Sequence, residues 1–276
     1  DSMVRAPIRI GCRAFDTLHV LTLNTYDSSG QVAHPDVVRT PGFRQFPLWM
    51  AVTPFPFGRA SYENPSVFQG EDPLVWSVPP GLTNPIAKPP SGYYSDPDVG
   101  FSASRSELWI YFRQVAQAQN IILSASSQDG VHWSPPISVI AVPNHELVSP
   151  AVVRGAPHSV WQMWSVNSGA LGCRALTTSV ERRTSLDGRL WTGPERVGLQ
   201  QPGFNIWHIE VQWLPSRGEY WALYNVYPPG SSCVTPRVYL ATSTDGVTWT
   251  TFPSPVLSHG VIDEFIQMLR FLIGDL

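Results

Sequence analysis

The stretches SSQDGVHW (126–133), SLDGRLW (185–191) and STDGVTW (243–249) share the pattern Ser-x-Asp-Gly-x-x-Trp, and a degenerate copy, FQGEDPLVW, ends at Trp76. Their tryptophans, Trp76, Trp133, Trp191 and Trp249, are 57, 58 and 58 residues apart. Self-similarity at that period is the mark of a repeat architecture. Asp-Gly supplies the positive-φ backbone of a tight turn, the Ser and Asp side chains can bond turn amides, and Trp can cover the turn against a neighbouring unit. These segments read as fold markers.

Two further series keep the same period. AHPDVV (33–38), YSDPDVG (94–100), VSPAVV (148–153) and WHIEVQW (207–213) each open a short apolar strand, and GVIDEF (260–265) is a fifth candidate. Within them Asp36, Asp98, Ala151, Glu210 and Asp263 are separated by 62, 53, 59 and 53 residues. PLWMAVTPF (47–55), LWIYFRQV (108–115), VWQMWSV (160–166) and YWALYNVY (220–227) follow the first four and are rich in aromatic and β-branched residues, as in strands buried between sheets. Each unit reads strand, strand, strand, Asp-Gly turn, strand.

Composition agrees: 27 Pro, 21 Gly and 11 Trp with 14% charged residues favour short strands and frequent reversals over helices. The expected architecture is all-β, a single five-bladed β-propeller over residues 1–276, with four clear repeats from about 33 to 259. Both chain ends would complete the fifth blade, IRIGCRAF (8–15) and HVLTLNTY (19–26) beside GVIDEF, although DEFIQMLRFLIGDL (263–276) has the pattern of an amphipathic helix.

A net charge of −3 with no Lys/Arg run speaks against nucleic acid as a partner, and no stretch of 18 apolar residues speaks for a membrane span. The first residues, DSMVRAPIRIGC, lack the apolar core of a signal peptide, and the compartment is left open. Cys12, Cys173 and Cys233 match no zinc or disulfide framework and read as buried free thiols.

In a propeller the first strand of each blade lines the channel, and residues two apart point the same way. The channel-facing pairs are then His34/Asp36, Asp96/Asp98, Ser149/Ala151 and His208/Glu210, with Asp263 or Glu264 fifth. In a chain poor in charge, acidic groups concentrate here. Thr53, Arg113, Ser165 and Asn225 are polar within the second strands and are candidates for substrate hydroxyls. Glu63, Asn64, Tyr62, Tyr93, Tyr94 and Trp207 stand on adjoining loops or strand starts, where aromatic faces can stack on sugars.

The layout, with Asp after Pro in the first blade and Glu in the fourth, resembles the arabinanase and β-xylosidase clan of five-bladed glycosidases, glycoside hydrolase family 43 and relatives. That resemblance implies Asp36 as general base and Glu210 as general acid, acting on an oligosaccharide or polysaccharide with inversion, which needs a separation of about 6.5–9.5 Å. It also implies a third carboxylate in the third blade, where this chain has Ser149 and Ala151; Asp98 is the candidate substitute. Substrate-binding candidates are His34, Arg113, His208, Trp207, Glu63, Asn64, Asp96 and Asn225.

Bland roles stand beside these. Asp36, Asp96 and Asp98 can bond local amides, His34 and His208 can be satisfied core residues, and Arg113 can be a buried ion-pair partner of Asp98. No cofactor is expected beyond a channel-bound cation such as calcium. His34, Asp36, His208 and Glu210 form a metal set only if the blades bring them together. Two other readings follow: a carbohydrate-binding propeller without catalysis, and a metal-dependent propeller hydrolase such as a lactonase. Gly-x-Ser-x-Gly, phosphate-loop and His-Glu-x-x-His motifs are absent.

Overall fold

The computed structural model describes residues 21–116, 118–154, 160–231, 233 and 237–256. Within them the chain forms four antiparallel sheets of four strands, each in simple sequence order. Blade one holds β1 (Val32–Arg39), β2 (Leu48–Pro54), β3 (Ser66–Asp72) and β4 (Val75–Ser77). Blade two holds β5 (Tyr93–Ser102), β6 (Glu107–Ala116), β7 (Gln119–Ser127) and β8 (Ile137–Pro143). Blade three holds β9 (Val148–Arg154), β10 (Trp161–Asn167), β11 (Ser179–Ser185) and β12 (Glu195–Arg196). Blade four holds β13 (Asn205–Leu214), β14 (Glu219–Tyr227), β15 (Arg237–Ser243) and β16 (Thr250–Thr251). No helix among the described residues is long and apolar enough to cross a membrane.

The innermost strands pack in succession, β1 on β5, β5 on β9 and β9 on β13. This is a propeller of four blades among the described residues. The second strands are covered on both faces, so β2 reads LWMAVTP and is buried throughout, the continuous apolar run expected of a doubly covered strand. Apolar cores fill the seams: Trp49, Val67, Val99 and Phe112 between blades one and two, Tyr111, Ile122, Val152 and Trp161 between two and three, Trp164, Val211, Tyr220 and Tyr224 between three and four.

The Ser-x-Asp-Gly-x-x-Trp segments join the third strand to the fourth. Ser127 Oγ accepts from the Gly130 amide at 2.8 Å, Asp129 Oδ1 accepts from the Val131 and His132 amides at 2.9 and 2.8 Å, and Trp133 Nε1 donates to the Gly130 carbonyl at 3.2 Å. Ser185/Asp187 and Ser243/Asp245 repeat the amide bonds, and Trp249 repeats the indole bond where Trp191 does not. Only the glycine takes a positive φ, and β8 starts at Ile137, so the segment is a longer capped loop and not a two-residue hairpin turn. Each loop is also reached from the preceding blade: Trp164 Nε1 donates to the Gly246 carbonyl at 2.8 Å, and the Tyr111 hydroxyl donates to the Gly188 carbonyl at 2.7 Å.

Two expectations are corrected. Cys173 and Cys233 form a disulfide with Cα atoms 5.4 Å apart and are not free thiols. Their separation of 60 residues is close to one repeat, which places them on equivalent loops of neighbouring blades. Residues 21–26 of HVLTLNTY form no strand; Leu23 packs on Val37, Met50 and Phe68, and the Ser28 amide closes a turn onto Thr25. IRIGCRAF, GVIDEF and the C-terminal amphipathic pattern, and with them the fifth blade, lie outside the described residues, as does Cys12.

The Gly130 backbone has φ +75, and a Cβ there would meet the Trp49 ring at 2.0 Å. Gly130→Ala is therefore expected to cost about 2 kcal/mol or more, through strain and overpacking together. A urea titration showing an unchanged midpoint would contradict this seam.

Candidate active site

The innermost strand of every blade carries one extra residue opposite its partner. The register slips between Ala33 and Asp36, between Ser95 and Asp98, opposite Trp164/Val166 in blade three, and between Ile206 and His208. In the first three blades the bulge is a non-glycine residue with positive φ followed by proline: His34 (φ 53), Asp96 (φ 52) and Ser149 (φ 55). Proline lacks an amide hydrogen, so it fits where the ladder is already interrupted.

The bulges turn side chains into one pocket, lined by His34, Asp36, Asp96, Ser149, His208 and Glu210 with the intervening prolines and Ile209. Two layers result. His34, Asp96 and His208 lie nearer the strand starts, and one ligand atom from each falls within 4.8 Å of the others. Two residues further along, Asp36, Asp98 and Glu210 form a second trio on the same criterion of 4.8 Å. Of the pairs read from strand alternation, both members of His34/Asp36 and His208/Glu210 line the pocket, and Asp96 and Ser149 line it without Asp98 and Ala151.

In the first layer His34 Nε2 is 2.9 Å from Asp96 Oδ1, and His208 Nδ1 is 3.7 Å from the same oxygen. The imidazole rings are 4.9 Å apart. Asp96 Oδ2 faces away, ion-paired with Arg113 Nε at 2.8 Å and accepting from the Ser149 amide at 3.1 Å. Arg113 thus pairs with Asp96 and not with Asp98, and its NH2 donates to Ser95 Oγ at 3.0 Å. Behind His34, Nδ1 lies 3.1 Å from Glu63 Oε2 and 3.1 Å from Thr53 Oγ1. Asn225 Oδ1 accepts the His208 backbone amide at 2.7 Å. Thr53, Arg113 and Asn225, read as substrate contacts, are buried and brace the pocket residues from behind; Ser165 is buried and accepts from Arg183.

Trp207 is half-buried, its ring 5.5 Å from that of His208 at 79°. Asn64 Nδ2 donates to the Tyr26 hydroxyl at 3.1 Å, and that hydroxyl donates to the Tyr62 carbonyl. His145, which no repeat position marks, also comes to this end of the ring and packs near Trp207.

The second layer is tied to the blade seams. Asp36 Oδ2 accepts from the Val99 amide at 2.6 Å, and Asp98 Oδ2 accepts from the Val152 amide at 3.2 Å. Ser149 Oγ donates to the Ile209 carbonyl at 2.9 Å and accepts from the Ile209 amide at 3.3 Å. The first strands of blades one, two and three are each clasped to the next blade by their channel residues.

Electrostatics separates the two imidazoles. Burial alone would lower His34, but the carboxylates of Asp96 and Glu63 raise it to about 9. Burial pushes His208 down to about 3, with Asp96 opposing and the charges of His34 and Arg113 adding to the fall. Asp96 would be raised by burial, yet Arg113 and the two imidazoles hold it well below the usual carboxylate range. A neutral His208, an ionised Asp96 and a His34 whose far nitrogen meets a carboxylate make a donor set of two imidazoles and one carboxylate, suited to a borderline cation such as zinc. A carboxylate on the second nitrogen is the usual support of a metal-ligating histidine. His208 Nδ1 is buried with no hydrogen-bond partner among the described residues, a polar atom that a cation could satisfy. The second layer, all oxygen, suits harder cations.

That arrangement predicts a proton count. Metal-free protein at pH 7.5 carries a proton on His34 and none on His208, and a ligating imidazole must be neutral. Zinc binding is expected to release about one proton per ion, read by calorimetry in buffers of differing ionisation heat. Release of two protons would show that His208 is also charged, and failure to bind zinc would remove the ligand set.

No protein-family model matches the chain, and no curated protein does. Among solved structures, the chain is similar to an N-acetylgalactosamine deacetylase from F. plautii in complex with blood group B trisaccharide, at 29% identity and a TM-score of 0.78, over 84% of this chain and 71% of that one. It shares its fold with an endo-1,4-beta-xylanase from Bacteroides thetaiotaomicron, at 11% identity and a TM-score of 0.59 over 85% and 79% of the two chains. A Penicillium chrysogenum alpha-L-arabinanase complexed with arabinobiose aligns at 12% identity and a TM-score of 0.54 over 81% and 67%. The propeller expected from the repeats is thus one that carbohydrate-active enzymes use.

Proposed function

We propose that the protein is a metal-dependent hydrolase that removes an acyl group, in the simplest case acetate, from an N-acylated sugar of a glycan. The observation that carries this is the convergence of His34 Nε2, Asp96 Oδ1 and His208 Nδ1 from three blades on one point of the pocket. The similarity to a deacetylase at 29% identity supports it, where the glycosidases at 11–12% share the fold alone. A divalent cation held by these three residues would polarise the acyl carbonyl as a Lewis acid.

The chain's own residues do the rest. Arg113 and the Ser149 amide occupy Asp96 Oδ2 and keep the carboxylate ionised with Oδ1 directed at the imidazoles. Glu63 and Thr53 fix the His34 ring so that Nε2 faces the pocket. The Asn225 bond to the His208 amide sets the fourth-blade bulge that aims His208. Seating on rigid strands, behind a buried second shell, holds such a constellation to the tolerance that catalysis needs. We also take the ring as five-bladed. The apolar faces of blade one (Val37, Met50, Phe68) and blade four (Leu223, Val238, Leu240) point away from the four-blade arc, where a further blade would dock.

A second reading has its own observation. Asp36 and Glu210 line the same pocket and Asp98 lies beside them, as a glycosidase with Asp36 as base, Glu210 as acid and Asp98 as modulator requires. Oxygens of the three fall within 4.8 Å, short of the about 6.5–9.5 Å that leaves room for water in an inverting enzyme. The seam bonds of Asp36 and Asp98 give both a structural task already.

The deciding experiment incubates the protein with N-acetylated and plain oligosaccharides, with and without added zinc, and follows both acetate and new reducing ends. Acetate release that a chelator abolishes, and that Glu63→Gln lowers about 10–100-fold, is the expected result. New reducing ends that persist in chelator and vanish in Glu210→Gln would replace this reading by the glycosidase.

A further inference from the structure

His34, Asp96 and His208 are one part of the pocket wall, and the rest of the wall repeats by blade. Pro35, Pro97 and Pro150 follow the three bulge residues, and Asp36 and Glu210 stand two residues beyond His34 and His208. Proline is rigid and gives no amide hydrogen, so the three rings form an apolar collar of fixed shape between the trio and the carboxylates. In blade four Ile209 takes that place, turns its side chain into the core and meets the Ser149 hydroxyl through its amide and carbonyl. With that hydroxyl engaged, and Ala151 not reaching the pocket, blade three adds neither bulk nor charge beside the trio.

The hollow measures about 320 Å³, counting the solvent at its open mouth, at the foot of the range of about 300–1,000 Å³ for pockets that enclose a whole small ligand. It takes one short arm of a substrate and leaves a sugar ring outside. Its wall asks for a ligand: His208 is 4% exposed, and its Nδ1 has no hydrogen-bond partner among the described residues. Of the two carboxylates beyond the collar, Glu210 is the more open, at 8% against 2% for Asp36, whose Oδ2 already holds the Val99 amide.

We infer that this is an acyl pocket sized for a two-carbon arm, in which Glu210 accepts a hydroxyl on the second carbon (a glycolyl group) and the isosteric propionyl group is rejected. The inference rests on the proposed function for placing the acyl carbon at the trio. Residues two apart on a strand are about 6–7 Å apart, so an arm that starts at the trio and passes the prolines is directed at the carboxylates. An acetyl methyl stops at the collar. A glycolyl hydroxyl goes on to Glu210, whose carboxylate has several acceptor sites. A propionyl methyl reaches the same place and strips water from the carboxylate with no bond in return.

The test is calorimetric binding of the methyl glycosides of N-acetyl-, N-glycolyl- and N-propionylgalactosamine to wild type and to Glu210→Met. Chelator is present throughout, so that nothing turns over and no metal can bind the glycolyl hydroxyl instead. Wild type should bind the glycolyl sugar about tenfold more tightly than the propionyl one. Glu210→Met, similar in length but without the carboxylate, should erase that preference. Propionyl binding as tight as glycolyl in wild type overturns the inference, and so does a preference that survives the substitution. If Glu210→Met does not fold, the wild-type comparison decides alone. A protein that shows the glycolyl preference but releases no acyl group when zinc is restored overturns the deacylase reading and leaves the acyl pocket in place. Wild type that binds none of the three sugars overturns the pocket, while acetate release with zinc would still uphold the deacylase reading.

Discussion

The pocket exists because the innermost strands are bulged, and three of the bulges force a non-glycine residue into left-handed backbone before a proline. His34, Asp96 and Ser149 share φ values of 53, 52 and 55. Each such residue costs on the order of 1–3 kcal/mol, and a regular strand would avoid it. The strain is offset where the bulges point. The Asp96 carboxylate reaches the Ser149 amide of blade three, and Ser149 exchanges two bonds with Ile209 of blade four. One device therefore aims the functional side chains and sews the blades together, so neither can be changed without the other.

Asp96 is the electrostatic centre of that arrangement. It is almost wholly buried, and an isolated buried carboxylate would be neutral. Arg113 prevents this from behind, and the two imidazoles share what negative charge remains in front. The sharing is unequal. Glu63 touches His34, whereas His208 meets only the Asp96 oxygen at 3.7 Å among the acidic groups of the described residues, which favours the proton on His34 and a neutral His208. A bound dication would exchange for that proton with little change elsewhere in the charge balance, which is why one proton, not two, is the signature of binding.

Much of this was legible in the sequence, because repeats and strand alternation are local. The Asp-Gly segments marked the blades, and the residues two apart in HPD, DPD, SPA and HIE gave both layers of the pocket. What stayed hidden depended on contacts between units. Glu63 returns to His34 from the loop after β2, and Arg113 chooses Asp96 because the bulge at Ser95/Asp98 turns Asp96 toward it. The Cys173–Cys233 pair looked unmatched until its 60-residue spacing is seen as a repeat length. His145 follows no periodic position, and only the loop folding over it brings it to the mouth. The chain ends carried the expectation of a fifth blade, and HVLTLNTY shows why alternation is weak there: Leu23 is apolar for packing on blade one, not for pairing in a sheet.

The two layers of the pocket differ chemically. The Asp36–Asp98–Glu210 layer offers oxygens only, and here Asp36 and Asp98 accept from amides of the next blade. In the layer above it, nitrogen ligands enter at two of the four blades. Replacing a carboxylate or a neutral side chain by histidine at a bulge changes the preferred partner from a proton or a hard cation to a borderline metal. It changes nothing in the strand register. In this chain the character of that layer is therefore set by which residue stands at each bulge, and by whether a carboxylate such as Glu63 stands behind it to orient the ring.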